Sequence, residues 1–299
     1  MSDSLSNTDW LAWRRGGIGG SDAPVVVGAS PYPDQNRIGL WLEKLGEPVP
    51  PKFVSPPMKW GHRFEGAIAE ALQERIGCNY IGSQVCFQSD DRPWQLATLD
   101  RLIDGERIAE FKSVGYEKAR ELGEDGDVDS LPIEWQIQGQ HQLAVTKRKV
   151  VIFAVFVGMM EDIRVYPVER NNELIDQIND VEAEFWNSVE SKTPPLSLGI
   201  RDSEALVKHF GVQEGQIALG DDIQAVVDQY NEIKESIGFL EAQKDERKAS
   251  IIDALCGVSS GVLPDGRIIK CSVSDIAESV SVRKAHRRIN LSFRTPRRS

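Results

Sequence analysis

Ala97 to Ser113, ATLDRLIDGERIAEFKS, is the stretch that decides the fold. Ile103-Asp104-Gly105-Glu106-Arg107 carries the Asp/Gly turn signal of a hairpin, setting Asp100 on or just before one strand and Glu110 on its partner. Residues two apart on a strand share a face, so Glu110 and Lys112 point the same way, and pairing across the turn brings Asp100 beside them. Two carboxylates and an ammonium then meet at one spot. Carboxylates so placed repel each other unless a hard cation lies between them, and Mg²⁺ takes oxygen ligands from one or two carboxylates plus phosphate and water. A lysine beside such a cation can hold or deprotonate an attacking water, as phosphodiester hydrolysis requires. The same triplet also fits a solvated hairpin with charged turn residues, and D-x9-E-x-K arises by chance.

On the N-terminal side, Met58 to Gly77 has Phe64, Ile68, Ala71, Leu72 and Ile76 at helical spacing, with Gly61 and Glu65 on one face; Tyr80 to Phe87 reads as a strand. Earlier still, Trp10 to Arg15 opens the first structured segment. Gly16-Gly17-Ile18-Gly19-Gly20-Ser21-Asp22 then leads into a helix-like run at Ala23 to Val27, which Ser21 or Asp22 can cap. Such a loop suits an anion, with Arg14 supplying charge, or it is a tight turn. No G-x4-G-K-[ST] follows, so it is not a nucleoside-triphosphate loop. Arg37 to Leu45 reads as a short helix with Trp41 on its apolar side, and Pro48 to Pro57 as an extended connection.

On the C-terminal side, Val114 to Ser130 is charged and glycine-punctuated and reads as a mobile loop. Pro132 introduces a helix, Ile133 to Val145, carrying Gln136, Gln138, Gln140, His141 and Gln142; buried amides need partners, so some of these glutamines face a polar groove. Lys149 to Val157 is a β-branched and aromatic run typical of a strand buried on both faces. Arg164 to Val168 is a further strand, and Leu174 to Val189 a helix ending before Pro194-Pro195.

The 299 residues are 40% hydrophobic and 27% charged, enough for a soluble globular core. Cys78, Cys86, Cys256 and Cys271 form no C-x2-C pair, which argues against zinc or an iron-sulfur cluster and for reduced, mostly buried thiols. The N-terminus lacks a signal-peptide pattern, and Val150 to Met160 is far shorter than the ~20 residues a spanning helix needs, so no membrane role and a cytoplasmic location are expected. A net charge of -11 disfavours non-specific attraction to nucleic acid while leaving room for a local basic groove.

The order helix, strands, helix, strand, strand, helix implies an α/β core with a mixed sheet. Residues 10 to about 195 resemble the YqaJ-type viral recombinase family, which is similar to lambda exonuclease and belongs to the restriction-endonuclease-like PD-(D/E)XK nucleases. Five segments carry the likeness in order: W-x3-R-x3-I-G-G-S-D at Trp10 to Asp22, W-G-x3-E at Trp60 to Glu65, T-L-D at Thr98 to Asp100, E-F-K at Glu110 to Lys112, and P-x2-W-x2-Q-x-Q-H-Q-L at Pro132 to Leu143.

The resemblance implies a restriction-endonuclease-like core, a central mixed sheet flanked by helices, over residues 1–198. A C-terminal helical, coiled-coil-like extension follows over 199–299. It implies that Asp100, Glu110 and the backbone carbonyl of Phe111 ligate Mg²⁺, with Mn²⁺ as an alternative, and that Glu65 approaches the metal directly or through water. Lys112 would activate the water and Gln138 close the site. Arg14, Ser21 and Thr98 would bind a 5′-terminal phosphate, with Gln140 grouped with them as a DNA contact. The implied activity is 5′→3′ digestion of one strand of linear duplex DNA, leaving a 3′ single strand for an annealing protein. Related enzymes form rings of three, and a phage or prophage origin fits. Leu99 and Arg101 stand where the family often has proline and glycine, and Thr98 where it has serine; Arg101 is either an additional DNA contact or none.

Past Pro195, Asp221 to Leu255 is one long amphipathic helix or two broken at Gly238, for packing on the core, another subunit or a partner. Gly261 to Val273 looks like a small hairpin. Residues 283 to 299 hold seven Lys or Arg and no Asp or Glu, a tail able to track DNA or remain solvated. The alternatives to the exonuclease are an endonuclease or repair nuclease on the same scaffold, and a non-catalytic DNA-end-binding or scaffold protein.

Overall fold

The computed structural model describes residues 7–48, 56–158, 163–211 and 214–272, which form two compact units, one running to Gly211 and the other beginning at Val212. The first unit opens with helices α1 (Asn7–Arg15), α2 (Ala23–Val26), α3 (Arg37–Leu45) and α4 (Pro56–Ile76). Strands β1 (Gly82–Gln88), β2 (Leu96–Leu102) and β3 (Arg107–Val114) follow, then α5 (Tyr116–Ala119), α6 (Ile133–Thr146), β4 (Val150–Val157), β5 (Arg164–Glu169), α7 (Asn172–Glu190) and α8 (Ile200–Phe210). The five strands make one mixed sheet in the order β1-β2-β3-β4-β5, with β3 and β4 parallel and the other pairs antiparallel.

The sheet is the middle of three layers. Strand β4 shows why: alternate residues Val151, Phe153, Val155 and Val157 join the apolar cluster under α6, while Ile152 and Ala154 join the one under α4. Leu143 of α6 and Leu72 of α4 are fully buried, each contributing about 1.5–3 kcal/mol of apolar burial. Helix α6 comes unusually close because of Gly139, where a Cβ would lie 2.8 Å from Val151 and 3.0 Å from Phe153. A third cluster joins Ile18, Ile38 and Trp41 to Phe185 and Val189 of α7, and the Trp41 indole donates to the Ser188 carbonyl at 2.9 Å.

The glycine-rich loop takes its shape from the sheet. Ile18 lies beside Gln95, donating its N–H to the Trp94 carbonyl at 2.7 Å and accepting from the Leu96 amide at 2.8 Å. Only glycine fits at position 17, where a Cβ would sit 2.4 Å from the Trp94 carbonyl oxygen. The expected cap of the following helix does not form: Asp22 at the start of the four-residue α2 makes no side-chain capping bond.

Three other expectations change, and the choice left open for the long C-terminal helix is decided. The segment from Val114 to Ser130 is not a loose loop: it holds α5 and a 3-10 turn, buries Ala119 and Leu122, and is gripped by the Arg164 guanidinium on the Ala119, Leu122 and Gly123 carbonyls. The first unit runs past residue 198, because Asp202 of α8 accepts from the backbone N–H of both Arg37, at 2.7 Å, and Leu198, at 2.8 Å. In the second unit α9 (Asp221–Leu255) is continuous, with no break at Gly238. The thiols are free, but only Cys78 is buried and Cys256 is exposed. Strands β6 (Ser260–Val262) and β7 (Ile268–Lys270) form the expected hairpin. Most of the proline-rich connection and the basic stretch 283–299 lie outside the described residues. Among the described residues no helix is long and apolar enough to cross a membrane.

Candidate active site

Strands β2 and β3 pair at Arg101 with Ala109 and at Leu102 with Ile108, next to the turn. At Asp100 the ladder gives way to a side-chain bond: its Oδ2 accepts from the Phe111 backbone N–H at 2.7 Å. The β1 strand is bent at the same level, where Gln84 has a φ of 50° between the pairs Ser83 with Arg101 and Val85 with Leu99. A non-glycine residue in the left-handed region costs on the order of 1 kcal/mol and turns its side chain out of the strand's usual alternation. The Gln84 amide accordingly donates to Glu65 Oε2 of α4 at 3.2 Å and lies 3.5 Å from Asp100 Oδ1. Glu65 is also held by His62, one turn earlier, at 2.8 Å.

On the neighbouring strand Glu110 is almost fully buried, and each of its oxygens is engaged. Oε1 accepts from Lys112 Nζ at 2.8 Å and from the Gln138 amide at 2.6 Å; Oε2 accepts from the Gln142 amide at 2.7 Å. Lys112 Nζ donates also to Gln138 Oε1 at 2.9 Å and sits 5.8 Å above the Trp135 ring. The ammonium is thus oriented by two oxygens and keeps one N–H for a further acceptor. Burial, and after it the charge of Glu110, pushes the Asp100 carboxyl up to about 8, against the pull of the Phe111 amide and Lys112.

The arrangement bears on the metal. A half-buried Asp100 beside a buried Glu110 is a donor set suited to a hard cation, and Asp100, Glu110 and Glu65 offer the oxygens such an ion prefers. Among the described residues no three His, Cys, Asp or Glu side chains are already gathered into a cage. Mg²⁺ asks for less, since it keeps several waters and needs only one or two carboxylates.

The helical spacing of α6 sorts its glutamines. Gln138 and Gln142 are four apart, share a face and both reach Glu110, whereas Gln140 points elsewhere. Its amide donates to the Glu169 carbonyl at 2.8 Å and accepts from the Asn171 N–H at 2.8 Å, fixing the entry into α7. Both ends of the Gln140 amide are thus engaged within the scaffold, away from Glu110 and Lys112. His141 is fully buried between Glu182, at 2.7 Å from Nδ1, and the Leu96 carbonyl, at 2.9 Å from Nε2. Both neighbours offer acceptor oxygens, which favours the charged ring; burial works against that charge, and Glu182 and the Leu96 carbonyl outweigh it to raise the histidine's pKa.

Arg14, Ser21 and Thr98 gather with Trp10. Arg14 donates to Ser21 Oγ at 2.7 Å and to Asp22 Oδ1 at 2.8 Å, its guanidinium is 5.4 Å from the Trp10 ring centroid, and the Trp10 indole donates to Thr98 Oγ1 at 3.2 Å. Asp22 is the buried counter-ion of this cluster, bound also by Lys44 Nζ at 2.8 Å and the Gly19 N–H at 3.1 Å. Burial opposes its ionisation, but Arg14, Lys44 and the Gly19 amide hold it far below the ordinary carboxylate range. The loop also reaches Glu110's partners, since a Cβ on Gly20 would lie 3.2 Å from Gln142 Cγ and 3.5 Å from Gln138 Cγ. Arg101 turns from the site, its guanidinium 5.7 Å from the Tyr80 ring and 5.4 Å from that of Phe111.

Gln84, Gln142, Asp22 and Lys44 are site residues that sequence reasoning did not assign. The i, i+4 relation to Gln138 could have found Gln142; nothing in the sequence marks Gln84, whose role depends on its backbone conformation.

Residues 9–149 match the family model of the YqaJ-like viral recombinase domain. The uncharacterized protein YqaJ of Bacillus subtilis strain 168 is 29% identical over 259 residues, covering 84% of this chain and 78% of that protein. Among solved structures, the alkaline exonuclease LHK-Exo of Laribacter hongkongensis superposes with a TM-score of 0.53 at 16% identity, over 62% of this chain and 94% of that one. The same enzyme in complex with dAMP gives the same TM-score and identity over 68% and 98%. At that identity the likeness is one of fold, the α/β arrangement of a five-stranded mixed sheet between helices. The matched stretch contains Arg14, Ser21, Glu65, Asp100, Glu110, Lys112 and the glutamines of α6, so the residues of the candidate site lie within the part of the chain that is similar to the YqaJ-like viral recombinase domain.

Proposed function

We propose that this chain is an Mg²⁺-dependent exonuclease that digests one strand of linear duplex DNA from its 5′ end. The observation that carries this reading is the Lys112 ammonium, held between Glu110 and Gln138 beside the raised carboxyl of Asp100. A cation held by Asp100, Glu110, the Phe111 carbonyl and Glu65 would neutralise the scissile phosphate and its leaving oxygen. Lys112 orients the attacking water with the N–H not engaged by Glu110 or Gln138. Gln138 and Gln142 hold the Glu110 carboxylate in place. The water oxygen bonds to phosphorus, the bond from phosphorus to the 3′ oxygen breaks, and the terminal nucleotide leaves with its own 5′-phosphate. The shortened strand is left with a new 5′-phosphate for the next cycle.

Arg14, Ser21 and Thr98 support the polarity, because they offer one cation and two hydroxyls to a terminal phosphate beside the loop that touches Gln138 and Gln142. A complex of LHK-Exo with dAMP is in keeping with a mononucleotide product. Supply of a 3′ single strand to an annealing protein and assembly into a ring belong to the same proposal.

The test incubates the protein and Mg²⁺ with linear 5′-phosphate, linear 5′-hydroxyl and closed-circular duplex. Mononucleotide release from linear DNA, fastest with a 5′-phosphate, is expected; cutting of the closed circle would point to an endonuclease instead. Lys112→Ala should cut the rate at least 10³-fold while DNA binding persists, and normal digestion by that variant would refute the assignment. Arg14→Gln should narrow the preference for the 5′-phosphate while leaving hydrolysis measurable.

A further inference from the structure

Helix α9, Asp221–Leu255, has 35 residues and a length of roughly 52 Å at 1.5 Å per residue, yet of its side chains only Leu255 is buried. A Cβ on Gly261 of the hairpin would lie 2.9 Å from Leu255 Cδ2, so the C-terminal end of the helix has its cover. The stripe before it is apolar and exposed: Ile223, Val226, Tyr230, Ile233, Ile237 and Leu240 each keep between 39% and 61% of their surface in water. A helix gains most of its stability by packing an apolar face, and here that face meets solvent.

The spacing decides what fits it. From Ile223 the steps along the stripe are 3, 4, 3, 4 and 3 residues, the a and d positions of a heptad, which make the narrow seam of a coiled coil and not the broader face a helix turns to a globular core. The same steps continue to Lys244 and Arg247, so two charges end the apolar part of the seam after Leu240. The order of steps reads the same in both directions. A second copy running antiparallel, centred between Asn231 and Glu232, therefore sets Ile223 against Leu240, Val226 against Ile237 and Tyr230 against Ile233. Sliding by one heptad spoils the match: one way Lys244 meets Val226, the other way Ile237 and Leu240 pass beyond the second helix's start at Asp221. In a parallel pair Lys244 and Arg247 would each face their own twin, a like-charge clash within the seam; in the antiparallel pair both run past the other helix. At its flanks Lys234 lies against Val227 and Asp222 against Gln243, so no like charges meet. Two such seams remove on the order of 1,200 Å² from water, enough for a specific interface.

We propose that the exposed seam of α9 joins two copies of this chain in an antiparallel coiled coil, held by the apolar residues from Ile223 to Leu240. Each particle then carries two candidate active sites, one per chain. The inference concerns assembly through the second unit alone. It stands or falls independently of hydrolysis, of the metal and of any ring made through the first unit.

The test measures the mass of the full-length protein by sedimentation at micromolar concentration. Wild type should weigh twice as much as Ile233→Lys/Ile237→Lys, a double change at exposed positions of the seam. Phe239→Lys, at an equally exposed apolar residue off the seam, should keep the doubled mass. Oxidative cross-linking reads the orientation and does not depend on how the lysine variant folds. The double variant Ile223→Cys/Leu240→Cys should form covalent dimers above the wild-type background, whereas Ile223→Cys alone should not, because each such residue and its twin are then roughly 25 Å apart along the axis. Equal masses for wild type and the lysine double variant would overturn the proposal, and would leave the seam to the first unit of the same chain or to a different protein. Loss of the doubled mass in Phe239→Lys, or dimers of Ile223→Cys alone, would overturn it as well, the first by showing unspecific association and the second a parallel pair.

Discussion

Replacing Asp100 by asparagine should stabilise the metal-free protein at pH 8 and abolish its response to Mg²⁺. The carboxyl is raised from 3.8 to about 8; at 1.36 kcal/mol per unit, ionised Asp100 is destabilised by on the order of 5 kcal/mol. Asparagine removes that charge and still accepts from the Phe111 amide, in a bond weaker by about 1 kcal/mol than one to a charged acceptor. The net gain is about 4 kcal/mol, or on the order of 10 °C in Tm for a domain of this size. The sign follows from proton counts. Between about pH 4 and pH 8 the folded protein holds a proton that the unfolded chain releases, so wild-type stability falls as pH rises through that window. The asparagine variant lacks this slope, and the two proteins should converge near pH 4. Melting curves from pH 4 to 9, in chelator and in Mg²⁺, check every part. Wild type should gain most from Mg²⁺ at the alkaline end, where Asp100 ionises, while Asp100→Asn gains nothing. If Asp100→Asn melts below wild type in chelator at pH 8, or is stabilised equally by Mg²⁺, then Asp100 and Glu110 do not form the frustrated pair inferred here.

Two further substitutions separate folding from chemistry. Gly17→Ala sets a Cβ 2.4 Å from the Trp94 carbonyl oxygen, forcing the loop off β2 at a cost of more than about 2 kcal/mol by overpacking, readable as loss of Tm. Gln140→Ala removes two hydrogen bonds at the start of α7 and should cost about 1–3 kcal/mol through the unmatched Glu169 and Asn171 groups. Its rate per folded molecule and its salt-dependent DNA binding should match wild type, and weakened DNA binding would restore it as a contact.

The hairpin was legible because an Asp-Gly turn and period-two alternation are local signals, and β4 because an unbroken apolar run has few other uses. Glu65 and the glutamine helix became legible through the resemblance, which fixes which segments meet but not which face each residue takes. Within Q-x-Q-H-Q, Gln138 and Gln142 belong to the site, Gln140 and His141 to the scaffold, and only the 3.6-residue turn of α6 separates them. Gln84 was beyond sequence reading because its amide reaches Glu65 only through a left-handed backbone that no residue type announces. The segment after β3 looked loose because its charges and glycines resemble a solvated loop, while the Arg164 grip that orders it comes from more than forty residues away.

Under the proposed function, the wall shared by the two halves of the site would tie end recognition to cleavage. Ser21 belongs to the Arg14 cluster; the residue before it, Gly20, abuts Gln142 and Gln138, which hold Glu110. Gly20→Ala probes that wall without backbone strain, because position 20 is not among the glycines with positive φ. The added Cβ meets Gln142 Cγ at 3.2 Å and its Nε2 at 3.4 Å, so the glutamine must yield by a few tenths of an ångström. A displacement near 1 Å costs about 10²-fold in rate, and a few tenths should lower kcat about 3- to 10-fold with Tm and 5′-phosphate preference kept. If the preference falls while kcat stays, the loop serves end binding alone; if neither moves, the two clusters are independent and the polarity of digestion must come from elsewhere in the protein.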